Sequence, residues 1–264
     1  YCQPIISHGA IPMKMHLTIL SLNPRIVVNI TRILITEHAR EPTALLWSAI
    51  APCILFVITT QQHHAPGAPP PSYTGSAAWF FSYISASVAF FGFSFYLIGR
   101  RESGFIRSFI YQRDAIRRFL IAHFCSYSII SVGYAFLFYL ATKPLYGHYS
   151  LIELSRLLAS FYTSYLFFTC IGLGIAALPI KFSTSSTLFS LMSFLMLISG
   201  YTGAVQGPAT PHSLTLLNPL YLSTKLFNNE LSLLNSFSAA LVSALIALYL
   251  TGRYFRVQPI WSRY

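Results

Sequence analysis

Negative charge is scarce in this chain. Six Asp and Glu stand against seventeen Lys and Arg in 264 residues, and charged residues make up only 9% of the sequence. A soluble domain carries roughly a quarter charged residues, so a surface wetted on every side is excluded. None of the six acids lies in the middle of an apolar run. Ion-driven carriers and intramembrane enzymes need ionisable groups near the midplane, which argues against both. The four cysteines include no CxxC pair, which removes zinc and dithiol redox motifs. Cys53, Cys125 and Cys170 sit in apolar runs and read as buried thiols. The chain has no GxxxxGK[ST], GxSxG or HExxH, hence no nucleotide-binding loop of its own and no cofactor motif.

What is present is apolar length: 55% of the residues are hydrophobic. About six stretches approach the roughly 20 residues that cross a bilayer. They lie near 43–60, 75–98, 119–142, 157–180, 187–204 and 237–250. The expected class is an all-α integral membrane protein with six transmembrane helices. A net charge of +11 suggests nucleic acid at first sight. Here the charge lies between spans, so membrane topology and anionic headgroups explain it better.

The loop 99–118 carries Arg100, Arg101, Arg107, Arg113, Arg117 and Arg118 against Glu102 and Asp114. Basic loops stay on the cytoplasmic side. With this loop inside, fourteen of the seventeen Lys and Arg fall inside, and Lys143, Arg156 and Lys225 do not. Both termini are then cytoplasmic, with the chain in the plasma (inner) membrane. Residues 1–22 form a tail without the charged-then-apolar order of a signal peptide.

Residues 23–42 read as an amphipathic interfacial helix. Asn23 is its cap, Pro24 its first residue and Pro42 its end. Ile26, Ile30, Ile33 and Leu34 form the apolar face. The six-span domain covers 43–252, and 253–264 is an inner tail. Pro52 predicts a kink in the first span. The second span is rich in aromatics, from Trp79 to Tyr96. Gly172 and Gly174 predict close helix contact in the fourth span. Ser183 to Ser186 predict a cap for the fifth. His123 reads as a boundary histidine. His63, His64, His148 and His212 fall outside and read as solvated rather than as metal ligands. The segment 205–235 is broken by Gly207, Pro208, Pro211, Asn218 and Pro219, and predicts an external re-entrant pair of half-helices.

Three features in order resemble the membrane (permease) subunits of type-2 ATP-binding-cassette exporters. They are an interfacial helix ending in Arg40-Glu41-Pro42, Arg101-Glu102-Ser103-Gly104 after the second span, and Leu217-Asn218-Pro219-Leu220 before the last. They match the family's elbow helix, the R-E-x-G-T element of its coupling loop, and the L-N-P-L of its re-entrant segment. The chain departs from the family at Phe105, where a small hydroxyl residue is usual, and lacks an arginine shortly after Leu220.

The resemblance implies a permease without an ATPase site. It would pair with a second copy or a similar chain and dock a separate ATPase subunit, which binds ATP and Mg. It places ATPase coupling on Arg101, Glu102, Gly104, Phe105, Arg107, Phe109 and Arg113. It places the cargo pathway along the second and fifth spans, with Tyr83, Phe91 and Phe95 as its aromatic wall, and the external motif on Asn218 and Pro219. The cargo expected is a hydrophobic or amphiphilic small molecule or peptide of the drug or antibiotic type. A lipid-linked glycan is the alternative, and a non-transporting membrane scaffold is the alternative of another class. On residues alone, a helical loop would put Phe105, Phe109 and Ile116 opposite Arg107, Asp114 and Arg118. Gly104 supplies a backbone conformation or a close approach. Glu102 forms a surface pair with an arginine or with a donor on the ATPase.

Overall fold

The computed structural model describes residues 24–41, 45–62, 72–105, 113–205 and 218–254. These residues are helical, with no strand among them. Helix α1 spans Pro24–Ala39, beginning at the proline whose missing N–H costs nothing there. Asn23 and Pro42 lie outside the described residues. Thr31, Leu34 and His38 of α1 are buried. They face α4 (Arg113–Thr142). Thr31 Oγ1 donates to the Ala122 carbonyl at 3.3 Å. The His38 ring lies between two hydroxyls of α4, with Nε2 2.8 Å from Tyr134 and Nδ1 3.4 Å from Tyr127. The apolar face read from the sequence is divided. Ile30 and Leu34 turn to the protein, whereas Ile26, Val28 and Ile33 are exposed.

Burial holds the His38 imidazole below its ordinary 6.5, so it docks neutral. An undocked His38 binds a proton more readily, so the stability it contributes is complete above pH 6.5 and is lost as pH falls below that value. Amide hydrogen exchange in α1 should quicken on going from pH 7.5 to 5, after correction for intrinsic rates. His38→Gln should abolish that extra acceleration.

Helix α2 (Ala51–Gln62) is entered through a π-helical stretch, Leu46–Ile50. Pro52 has no N–H for the Ser48 carbonyl, and just before it the Ala51 N–H reaches back to Leu46 O. Helix α3 runs Tyr73–Glu102, capped by Ser72, whose Oγ accepts from Gly75 N at 3.2 Å. A π-helical stretch, Val88–Ser94, lies at its middle. After α4 come a 3-10 turn, Lys143–Tyr146, and α5 (Leu151–Ala177), capped by Ser150. Helix α6 is Phe182–Val205, α7 is Pro219–Phe227 and α8 is Leu233–Tyr254.

Four of these helices, α3, α4, α5 and α8, are long and apolar enough to cross a membrane. The apolar stretch Ser48–Thr60 of the α2 region is shorter. Helix α6 has 24 residues without a charge. The expected spans lie largely within helices that often extend beyond them. The fourth instead stops at Ala177, because Leu178 is extended ahead of Pro179. The expected serine cap of α6 is corrected. Ser183 to Ser186 lie inside its first turns, and Ser185 Oγ donates to Phe182 O at 2.7 Å.

Helix α3 is central and α8 peripheral. Of the most apolar window of each, 67% is buried in α3 and 11% in α8. Rings of Phe81, Phe90, Phe93, Phe138, Phe161, Phe168 and Phe189 make the core. Lipid tails are as apolar as these rings, so helix association rests on their fit rather than on exclusion of water.

Candidate coupling site and pathway wall

The end of α3 is built to stop. The Ser103 N–H reaches Gly99 O at 2.9 Å and the Gly104 N–H reaches Arg101 O at 3.2 Å. Gly104 then takes φ +76°, the left-handed turn that ends helices. Among the described residues a Cβ there would meet nothing within 4 Å, and the positive φ is what calls for the glycine. Gly104 thus breaks the loop 99–118 after α3, and the expected Phe105–Phe109–Ile116 face runs through residues outside the described ones. The chain turns at Gly104, Phe105 is again helical, and past 106–112, which lie outside the described residues, α4 begins at Arg113. Arg107 and Phe109 lie outside the described residues. Phe105 packs 6.3 Å from the Phe119 ring, with the Arg100 guanidinium 4.7 Å over it. Gly104→Asn should be tolerated and Gly104→Val should cost about 1–2 kcal/mol from backbone strain alone. Thermal unfolding of the purified variants measures that order.

Arg101 and Glu102 are not a surface pair. The Arg101 side chain is 2% exposed and that of Glu102 8%, with Nε–Oε1 at 3.0 Å. The rest of the guanidinium grips the end of α5. Nη1 donates to Ala176 O at 2.8 Å and to Leu178 O at 3.2 Å, and Nη2 to Ile180 O at 2.8 Å. A helix end leaves carbonyls without intrahelical donors and carries partial negative charge, so a buried arginine fits it. Arg100 is engaged too. It pairs with Glu37 of α1 and with the Tyr96 hydroxyl. Two of the six loop arginines thus hold α1, α3 and the α5–α6 turn together at one end of the molecule. Arg117 remains partly exposed, 3.6 Å from Asp114.

Of the three proposed wall residues, Phe91 and Phe95 each stand 6.3 Å from the Phe189 ring of α6, and Tyr83 is turned to Trp79. Phe95 is stacked on Phe182 of α6 at 4.5 Å, and Tyr83 on Trp79 at 5.7 Å. Phe91 is 38% exposed. Beside it, α6 turns Phe189 inward, 6.3 Å from the Phe91 ring. Ser183, Thr187 and Ser190 of α6 are exposed at positions i, i+4 and i+7, which puts them on one face. Leu188, Leu191 and Leu195 are exposed in another sector. The hydroxyl face was missed in the sequence reading, although its helical spacing was there to be found.

Asn218 caps α7, with Oδ1 accepting from the Leu220 N–H at 2.9 Å, and Pro219 is the first helical residue. The Asn-Pro pair is thus a helix start. Helix α7 is pinned to the core by four buried hydroxyls that the sequence reading also missed. Ser223 Oγ lies 2.8 Å from Ser82 of α3 and 2.5 Å from Ser164 of α5, and Ser164 lies 2.8 Å from Ser85. Within the expected re-entrant segment, 206–217 lie outside the described residues, and its last part is already the start of α8 at Leu233.

Gly172 sits against Ser94 of α3, whereas the Cβ position of Gly174 is open, so only the first of the two expected contacts is made. His123, read as a boundary histidine, is wholly buried among the helices. Among the described residues no group of three His, Cys, Asp or Glu is placed to hold a metal. His148 is exposed, and His63, His64 and His212 lie outside the described residues.

A comparison with known protein families finds no match. Over 243 residues, 87% of its own length and 96% of the other's, this helical chain with four membrane-compatible spans is 28% identical to Protein McbE of Escherichia coli.

Proposed function

We propose that this chain is the membrane subunit of an ATP-driven exporter for a hydrophobic or amphiphilic small molecule or peptide. The observation that carries the reading is the inner end of α3. At the place where the sequence resembles a coupling element, a buried arginine ties the loop to the α5–α6 turn, and so to the helix beside Phe91. A loop that only set topology would need its charge in water, not in the protein. Helix α2 with its π-helical entry, and α6, supply the fifth and sixth spans. Helix α1 lies in the cytoplasmic interface with Ile26, Val28 and Ile33 in the lipid. A separate ATPase docks at residues 106–112 and the exposed arginines, and a second copy or similar chain completes the pathway. The likeness to McbE names no cargo.

The test is purification of the tagged chain from membranes of its host. A P-loop ATPase should copurify, and inverted vesicles should accumulate cargo only with ATP. Absence of both would leave a membrane scaffold. Single cysteines at 107 and 148, in a background without native cysteine, should react with an impermeant reagent from inside and from outside respectively. Labelling of 107 from outside in intact cells would overturn the topology.

A further inference from the structure

Helix α3 widens at mid-span. Over Val88–Ser94 it is wound as a π-helix, which holds one residue more per turn than an α-helix. A wide turn needs partners for carbonyls taken off the α ladder and room among its neighbours, and both are present. Ser94 Oγ donates to Ala89 O, five residues back, at 2.9 Å. His123 of α4, wholly buried, donates from Nε2 to Phe93 O at 2.9 Å. Its ring is held by stacking on Phe93 at 4.8 Å and by the edge of Tyr127 at 4.8 Å. Among the described residues Nδ1 meets no partner, so that carbonyl takes the one hydrogen bond of the ring. Room comes from two glycines. A Cβ on Gly92 would stand 2.7 Å from Tyr127 Cε1, and one on Gly172 would stand 2.9 Å from Ser94 Cβ. Within the π stretch Val88, Ala89, Phe90, Phe93 and Ser94 are buried, and Phe91 is exposed.

We propose that His123 is a positioning residue: by holding the Phe93 carbonyl it keeps α3 in its π register, and that register turns Phe91 out of the core beside α6. Winding the same residues as an α-helix would rotate the two halves of α3 against each other by about 100°, the angle of one residue. Phe91 would then leave its present direction. The step from direction to cargo choice rests on the transport reading; the positioning itself does not.

The experiment reads position 91 directly. Phe91→Cys is made in a background without native cysteine and labelled in membranes with a soluble maleimide. His123→Phe keeps the ring stacking and removes the donor, and His123→Gln keeps an N–H that can reach the carbonyl. Labelling at 91 should change several-fold in His123→Phe and return toward the parent rate in His123→Gln. An unchanged rate in folded His123→Phe overturns the proposal. Should that variant not fold, His123→Leu, which also lacks the donor to Phe93 O, is read in its place, and an unchanged rate there overturns the proposal equally. Cargo export by His123→Phe, with Phe91 retained, is measured alongside. Altered labelling with unaltered export would uphold the positioning and remove Phe91 from the pathway.

Discussion

Arg101→Ala is expected to destabilise the protein by about 3–5 kcal/mol, the usual result of removing one partner from a buried ion pair. The alanine leaves the Glu102 carboxylate buried without its guanidinium. It also takes the donor from the carbonyls of Ala176, Leu178 and Ile180. A lysine cannot repair this, because a single ammonium cannot span a carboxylate and three carbonyls at once. Arg101→Lys should therefore lie close to the alanine variant. Glu102→Gln retains an acceptor for Nε and leaves the grip on α5 in place, so its cost should be about 1 kcal/mol. Thermal unfolding of the purified protein orders the series. Equal stability of Arg101→Ala and the parent would show that the C-terminal end of α3 is not held by this residue. Glu102→Ala belongs with the severe changes, since the pair it breaks is buried and not on the surface. Loss of transport by that variant must accordingly be separated from loss of fold.

The second large effect is expected on α5, where two glycines two residues apart should respond in opposite directions. A methyl at Gly172 would overlap Ser94 Oγ and stand 2.9 Å from Ser94 Cβ and 3.4 Å from Ala89 O. Ser94 cannot swing freely, because its hydroxyl donates to Ala89 O. Gly172→Ala should cost about 1–3 kcal/mol as overpacking, and Gly172→Val more. Gly174 faces open space, so Gly174→Ala should gain up to about 1 kcal/mol of helix propensity. Melting temperatures of the two alanine variants on either side of the parent would confirm that the contact belongs to Gly172 alone. Equal shifts would mean that α3 and α5 do not meet there.

The sequence showed more of the fold than of the site. Helix starts were legible where the chemistry is local. Pro24 and the Asn218-Pro219 pair each begin a helix, because a proline at the first position loses nothing and an asparagine oxygen satisfies an orphan N–H. The disturbance around Pro52 was legible for the same reason, as a missing donor. The serines at 183–186 misled, because serine caps a helix only when the backbone leaves helical angles there, and here the helix had already begun at Phe182. Glycine was ambiguous. Gly104, Gly172 and Gly174 look alike in sequence; one serves a positive φ, one a contact and one neither.

By itself the sequence determined that this is a helical chain of membrane type, because apolar length and charge scarcity are additive along the chain and need no partner to be counted. It also determined the order of its three motifs. Which arginines face water, which aromatics are exposed and which turn of α3 is wide were decided only by tertiary structure. Arg100 and Arg101 are adjacent in sequence, yet one reaches α1 and the other α5, more than sixty positions away in each direction. The π turn has no local signature, because it depends on a glycine of α5 and a histidine of α4 that approach only when three helices pack. Burial and pairing are properties of the assembled bundle, and a buried arginine is tolerated only where another segment brings the carbonyls to meet it.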